Sequence, residues 1–262
     1  MKKLIKVLAL ALAMMLSVMA IGCGDSDLDR VKDNGKLVVG ITIYEPMDYI
    51  DPETNDWTGF DAELARAFAQ QLGVSCQFVI ITWSQKVIEL NSKQIDLVWN
   101  GMTASTELGK QIDFSVSYAK NAQVAVVKTD SSITTKEQIK NARVAVENGS
   151  AGDTVITAEG ASNVARVTAQ VDALTEVAAG NSDVAIVDIT MAQSVVGKGS
   201  YSGLKIVSGV SYGDEIFAVG LRKGSDLKAK LDAFLKAKYA DGTMTTLAEK
   251  YQVGLNTDAL GA

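Results

Sequence analysis

The chain has no histidine. That excludes imidazole as general base and as metal ligand. Only two cysteines occur. Cys23 closes the first apolar stretch, and Cys76 sits inside the apolar run 76–81. Cys76 reads as a buried strand residue, so no two structural cysteines remain for a disulfide. Beyond residue 22 no apolar run is long enough to span a bilayer. Positive charge is also short. The 262 residues carry 25 Lys+Arg against 31 Asp+Glu, a net charge of −6. An acidic chain of this kind is a poor partner for nucleic acid. Neither an internal repeat nor a low-complexity segment is present.

What is present begins with Met1, Lys2, Lys3, Leu4, Ile5 and Lys6, then the apolar run 7–21, then Gly22-Cys23-Gly24. A basic start, an apolar stretch of this length and small residues at its end describe an export signal over 1–22. Ala20-Ile21-Gly22-Cys23 resembles the lipobox of bacterial lipoproteins, which implies a lipid on Cys23 and a membrane-anchored, extracytoplasmic protein. Removing the three lysines of 1–22 from the 25 basic residues leaves 22 against 31 acidic ones, a net charge of about −9. The polar, Asp-rich stretch 23–35 reads as a tether. The remainder is long enough for two lobes of ordinary size.

Strands read at 37–43, 76–81, 95–99, 123–127, 143–146, 183–187, 204–207 and 216–221. Pro46 ends the first of them, and the cluster 51–56 reads as a turn or hairpin. Phe60, Leu64, Phe68 and Leu72 recur every four residues and Gly73 stops them, predicting an amphipathic helix. Further helices read at 83–90, 171–179, 225–239 and 243–251. Strands alternating with helices predict an α/β fold with parallel sheets covered on both faces.

Residues 96–107 draw attention. An apolar strand ends at Asn100-Gly101, and Thr103, Ser105 and Thr106 offer hydroxyls suited to capping a helix. Ligands of open α/β sheets bind at such strand ends, and helix N-termini favour anions. An ordinary strand–helix turn explains the stretch equally well when it is taken alone.

Gly59-Phe60-Asp61-Ala62-Glu63-Leu64 resembles the signature of family 3 extracellular solute-binding proteins, the receptors of ABC importers for amino acids. The resemblance extends through Gly101-Met102-Thr103, Ile112-Asp113-Phe114-Ser115, Gly149-Ser150, 183–188 and Gly220-Leu221-Arg222-Lys223-Gly224. It implies a two-lobed periplasmic-binding-protein-like fold of type II, with the ligand in a cleft between lobes joined by two crossing strands. On that pattern lobe 1 comprises 36–119 and 215–262, and lobe 2 comprises 124–211. The crossings fall near 120–123 and 212–214.

The same resemblance assigns Trp83 and Tyr44 as aromatics at the ligand, and Asp188 as the acceptor of its α-ammonium. An ordinary buried aromatic, or an Asp capping the next helix, remains the competing explanation. Asn100, Gly101, Met102 and Thr103 should face the ligand from lobe 1, and Ser150 and Ala151 from lobe 2; small hydroxyls and backbone N–H groups suit a carboxylate. One position departs from the pattern. Members that bind α-amino acids usually carry an Arg at the eighth position counted from Gly101, and here it is Leu108. Lys110 follows two residues on, about 200° around a helix, and is a poor substitute. Arg143 and Lys86 are the other candidate cations. Glu45 and Glu147 lie near cleft positions and, with Asp188, would make the cleft acidic and favour a cationic ligand, unless both are solvated surface charges.

The reading is a monomeric, lipid-anchored receptor that binds a small amine-bearing ligand, an amino acid or relative, and delivers it to importer membrane subunits. It implies no cofactor, no metal and no catalysis. A lyase on the same fold is one rival, with Glu147 as its acid or base. An extracytoplasmic sensor module is the other, disfavoured because no transmembrane or signalling segment follows before Ala262.

Overall fold

The computed structural model describes residues 26–262. The export signal and Cys23 lie outside the described residues. Twelve strands are described: β1 (Lys36–Ile41), β2 (Tyr49–Ile50), β3 (Trp57–Thr58), β4 (Ser75–Ile80), β5 (Leu97–Val98), β6 (Asp113–Phe114), β7 (Ala119–Lys128), β8 (Val144–Glu147), β9 (Val164–Val167), β10 (Val184–Asp188), β11 (Leu204–Phe217) and β12 (Gly220–Leu221). They form one sheet of order β4-β1-β5-β12-β6, a second of order β11-β7-β10-β8-β9, and the hairpin β2-β3.

Both large sheets are mixed rather than parallel. β1 runs parallel to β4 and β5, but β12 is antiparallel to β5 and β6. β10 and β8 are parallel, whereas β7 is antiparallel to β10 and β11. Parallel neighbours need a crossover connection. β12 instead follows β11 almost directly and enters the first sheet from the second, so it runs against its neighbours.

β7 and β11 connect the two sheets. The two stretches read as separate strands at 204–207 and 216–221 are largely one element, because β11 continues through 208–215 with register shifts between Ile206 and Ser211 and between Ser211 and Asp214. Its far end pairs Asp214, Glu215 and Ile216 with Ala122, Asn121 and Lys120 of β7. Residues 120–123 and 212–214 thus face one another on a two-stranded ribbon.

The 60–72 helix forms as its four-residue spacing requires. Gly73 adopts φ 78° and donates to Ala69 and Gln70 carbonyls. Phe68 packs on Phe234 at 5.2 Å and on Trp99 at 6.4 Å, and Phe60 stacks on Tyr118 at 6.1 Å. The second sheet has its own apolar cluster, including Val127, Ile139, Val146, Ile156 and Ile186.

Three further departures matter. Residues 27–33, read as tether, form a helix capped by Ser26, whose Oγ accepts from Asp29 N at 2.9 Å. Val31 is fully buried, and Asp27 accepts from Arg222 Nε at 2.9 and 3.0 Å. Asp27, read as part of a polar tether, is an acceptor for a buried arginine, while Asp29 and Asp33 stay exposed. Next, no α-helix follows Thr103. Thr103 bridges to Phe217 and Ala104 N donates to Ile216 O, so this backbone is spent on β11 and only a 3-10 turn forms at Leu108–Lys110. Finally, the turn at 147–152 opens the helix Ala151–Ala158, with Ser150 Oγ accepting from Asp153 N at 3.1 Å.

Candidate functional site

A cavity of about 370 Å³ lies between the two sheets. Lobe 1 presents Trp83 from the 3-10 turn after β4, Gly101, Met102 and Thr103 from the loop after β5, and Leu108. Lobe 2 presents Ser150 and Ala151 at a helix N-terminus and Asp188 at the end of β10. The lobes touch on both rims. Lys86 Nζ donates to Gly149 O across the cleft at 3.0 Å, and Ser194 Oγ donates to Glu45 Oε1 at 3.0 Å. Gly149 has φ +71°, and a Cβ there would stand 3.1 Å from Ser84 Cα. The cleft is closed in this structure.

Asp188 is 3 % exposed. Its Oδ1 accepts from Asn121 Nδ2 at 2.6 Å and from Gln123 Nε2, and its Oδ2 from Gln170 Nε2 at 2.5 Å. Its side chain makes no cap bond to the helix Ile189–Val195, so the capping explanation falls. Burial pushes its carboxyl up, the charge of Glu215 adds to this, and the Gln170 amide, the Tyr44 hydroxyl and the Asn121 amide pull it back, leaving it at about 6.

Lys86 is 8 % exposed and lines the same cavity. Its ammonium sits 4.6 Å from the Trp83 ring centroid and donates to Trp83 O at 3.1 Å besides Gly149 O. Burial pulls it down to about 8 against the opposing pull of Glu147. Arg143 lies elsewhere, bound to Asp183 and to the carbonyls of Asn181 and Gly180. Lys110 is exposed and paired with Glu107.

Four of the residues expected at the ligand do not line the cavity. Tyr44 is buried edge-on against Phe217, 6.4 Å between centroids. A Cβ on Gly101 would meet its ring at 2.7 Å, so Tyr44 supports the Gly101 loop from behind. Asn100 turns inward: Nδ2 donates to Asp48 Oδ2 at 2.7 Å, and Oδ1 accepts from Thr42 N at 3.0 Å. Glu45 is exposed on the opposite rim, beside a separate groove shared with Tyr49, Val171 and Tyr201. Glu147 is 2 % exposed at the end of β8, Oε1 has no partner, and burial together with the Asp188 charge raises it well above the usual carboxylate range.

The sequence reading missed several wall residues, chiefly Gln170, Glu107 and Glu215. Glu215 Oε2 accepts from Thr103 Oγ1 at 2.9 Å, Asn121 Nδ2 at 3.0 Å and Gln123 Nε2 at 2.9 Å. Its one sequence signal was an acidic side chain next to an expected crossing.

Under the loop, Asp61 of the Gly59–Leu64 motif accepts from Gly101 N at 2.7 Å and Tyr118 Oη at 2.8 Å. Burial pushes Asp61 up to about 7 and, with the Asp61 charge, raises Asp48 well above its ordinary value. The motif's carboxylate therefore holds the ligand-facing loop in shape and does not face the ligand.

The model of the bacterial extracellular solute-binding proteins, family 3, matches residues 37–254. The arginine-binding extracellular protein ArtP of Bacillus subtilis (strain 168) is 28% identical over 254 residues, covering 95% of this chain and 98% of ArtP. The L-cystine-binding protein TcyJ of Escherichia coli (strain K12) is 30% identical over 257 residues, with 95% and 94% covered. A crystal structure of a mutant of ArgBP from T. maritima superposes with a TM-score of 0.81 at 31% identity, covering 86% of this chain and 98% of that one. With two mixed sheets covered by helices, a double-stranded connection and a cavity between them, the chain belongs to the bacterial extracellular solute-binding proteins of family 3 and has their type II fold.

Proposed function

We propose that this solute-binding protein captures a small amine-bearing ligand, an amino acid or close relative with net positive charge, between lobes 36–119 plus 215–262 and 124–211, and hands it to the membrane subunits of an ABC importer. The observation that carries the reading is Asp188. It is a buried carboxylate on the cavity wall, held by three neutral amides and by no protein cation. A buried charge needs a counter-charge, and a ligand ammonium supplies one. Glu107 and Glu215 add negative charge to the wall, while Lys86 is already engaged by two carbonyls. The relatives' binding of arginine and cystine supports an amino-acid-like ligand.

Trp83 offers an aromatic face, and Ser150 and the N–H groups at Ala151 offer neutral donors for whatever else the ligand carries. Lipid on Cys23 anchors the monomer outside the cytoplasmic membrane. The lyase alternative is weaker, because Glu147 does not reach the cavity wall. A thermal-shift screen over amino acids, their amides, decarboxylated amino acids and polyamines tests the reading. A ligand at a hundred times its dissociation constant stabilises by about 2.7 kcal/mol. Stabilisation by acidic or neutral solutes alone would refute it.

A further inference from the structure

Glu215 belongs to none of the motifs that carry the family resemblance, yet it takes as many side-chain hydrogen bonds in the cleft as Asp188 does. Its Oε2 takes hydrogen bonds from Thr103 in the lobe 1 loop and from Asn121 and Gln123 on β7. Asn121 Nδ2 and Gln123 Nε2 also donate to Asp188 Oδ1. Each amide nitrogen has two hydrogens, and both are spent, one on each acid. Two carboxylates are therefore bridged by two neutral NH₂ groups, at the point where the crossing ribbon enters the cavity. Amides satisfy lone pairs and do not cancel charge. Beside the pair lies Tyr44 Oη, on a residue 2 % exposed and facing Asp188.

We propose that Asp188 and Glu215 form one paired-carboxylate seat for the ligand's cation, with Glu215 the specificity-determining partner that ties cation binding to lobe closure. The inference rests on the cationic-ligand reading above. Asp188 comes from lobe 2, and Glu215 stands where β11 enters lobe 1 and holds Thr103 of that lobe, so a cation seated between the acids ties the two lobes together. An isolated acid would take any ammonium. A pair favours a ligand whose charge is not offset by a carboxylate nearby, and Leu108 at the usual position of the arginine agrees with that.

The pair also has a pH signature. Three titratable groups face Asp188: Glu215 from β11, Glu147 from the end of β8, and Tyr44 from the loop after β1. Lys86 acts on Glu147 from the opposite lobe. Burial and then Glu215 hold Asp188 at about 6. Below that value the free protein protonates Asp188, while a bound cation keeps it ionised. Affinity is therefore full above about pH 6 and falls by about tenfold per unit beneath it. Removing the charge of Glu215 lowers Asp188's own value, so the fall begins at a lower pH.

The test titrates L-arginine, L-lysine, agmatine and putrescine calorimetrically into wild type, Glu215→Gln and Asp188→Asn, from about pH 4.5 to 7.5. The expected result for Glu215→Gln is a loss of at least about tenfold at neutral pH, with the acid-side fall displaced downward. Wild-type affinity, or a loss with the fall unmoved, would overturn the pair. If Asp188→Asn abolishes binding while Glu215→Gln is silent, the ammonium reading survives and the pair does not. If none of the four probes binds wild type, both are overturned. Glu215→Asp covers a glutamine variant that does not fold: it keeps the charge one methylene back and should weaken binding with the fall unmoved, so unchanged affinity there also counts against the pair.

Discussion

Leu108→Arg asks what the cleft lacks. Leu108 begins the 3-10 turn after Thr103 and lines the cavity, half-buried against the cluster of Trp83, Val98 and Met102. An arginine keeps the apolar stem over that cluster and sends its guanidinium further into the cavity. Wild type offers a ligand carboxylate neutral donors such as Ser150 and the N–H groups at Ala151, and one remaining hydrogen on Lys86 Nζ, while the Thr103 hydroxyl is spent on Glu215. A hydrogen bond to a charged group is worth about 1.5–3 kcal/mol, or about 10- to 150-fold in affinity. Glu107 and Glu215 on the same wall compete for the new cation and pull the gain toward the lower figure. The assay is a set of calorimetric titrations, L-arginine against L-argininamide, in wild type and variant. Wild type should discriminate weakly, and the variant should favour the acid by about tenfold more. A wild-type preference for the acid of a hundredfold, about 2.7 kcal/mol, would refute the idea of a cleft short of cationic grip. An unchanged ratio in the variant would show that the turn does not face the carboxylate.

Asp188→Asn should weaken amine binding by about 2–5 kcal/mol, read by calorimetry, and retained affinity in a folded variant would remove Asp188 from the ligand. Cys23→Ala should move the protein from the membrane to the soluble fraction, checked by fractionation and immunoblotting; unchanged membrane association would end the lipoprotein reading. Arg222→Ala strips the donors from Asp27 and from the carbonyls of Leu90 and Ile95. Breaking such a buried pair costs about 3–5 kcal/mol, visible as a lower urea midpoint at constant slope, and a change under 1 kcal/mol would show the clamp to be dispensable.

The parts legible in the sequence are those set by local pattern. Phe60 to Leu72 carries its own period and its own stop. Trp83 and Asp188 stand next to apolar runs, and both reach the cavity wall. The unread parts depend on partners far along the chain. The 27–33 helix is held by Arg222, 195 residues from Asp27, so nothing near Asp27 in sequence marked it as buried. Asn100 sits at a turn signal but points to Asp48, 52 residues earlier. Thr103, Ser105 and Thr106 have helix-capping chemistry, yet the end of β11 claims the backbone at 103–104. Glu215 acquires its place only when β7 and β11 align.

The docked helix 27–33 bears on where a lipid-anchored receptor would work. Only Gly24 and Asp25 separate Cys23 from Ser26. An extended chain spans at most about 3.3–3.6 Å per residue, so the link can reach no further than roughly one nanometre. A protein held by Cys23 would ride on the bilayer with lobe 1 downward rather than sweep a volume above it. Its encounter with a membrane-embedded importer becomes a search in two dimensions, at the millimolar effective concentrations of short linkers. Weak docking then suffices for delivery, and lengthening the 24–25 link with Gly-Ser repeats should slow uptake without changing affinity for the ligand.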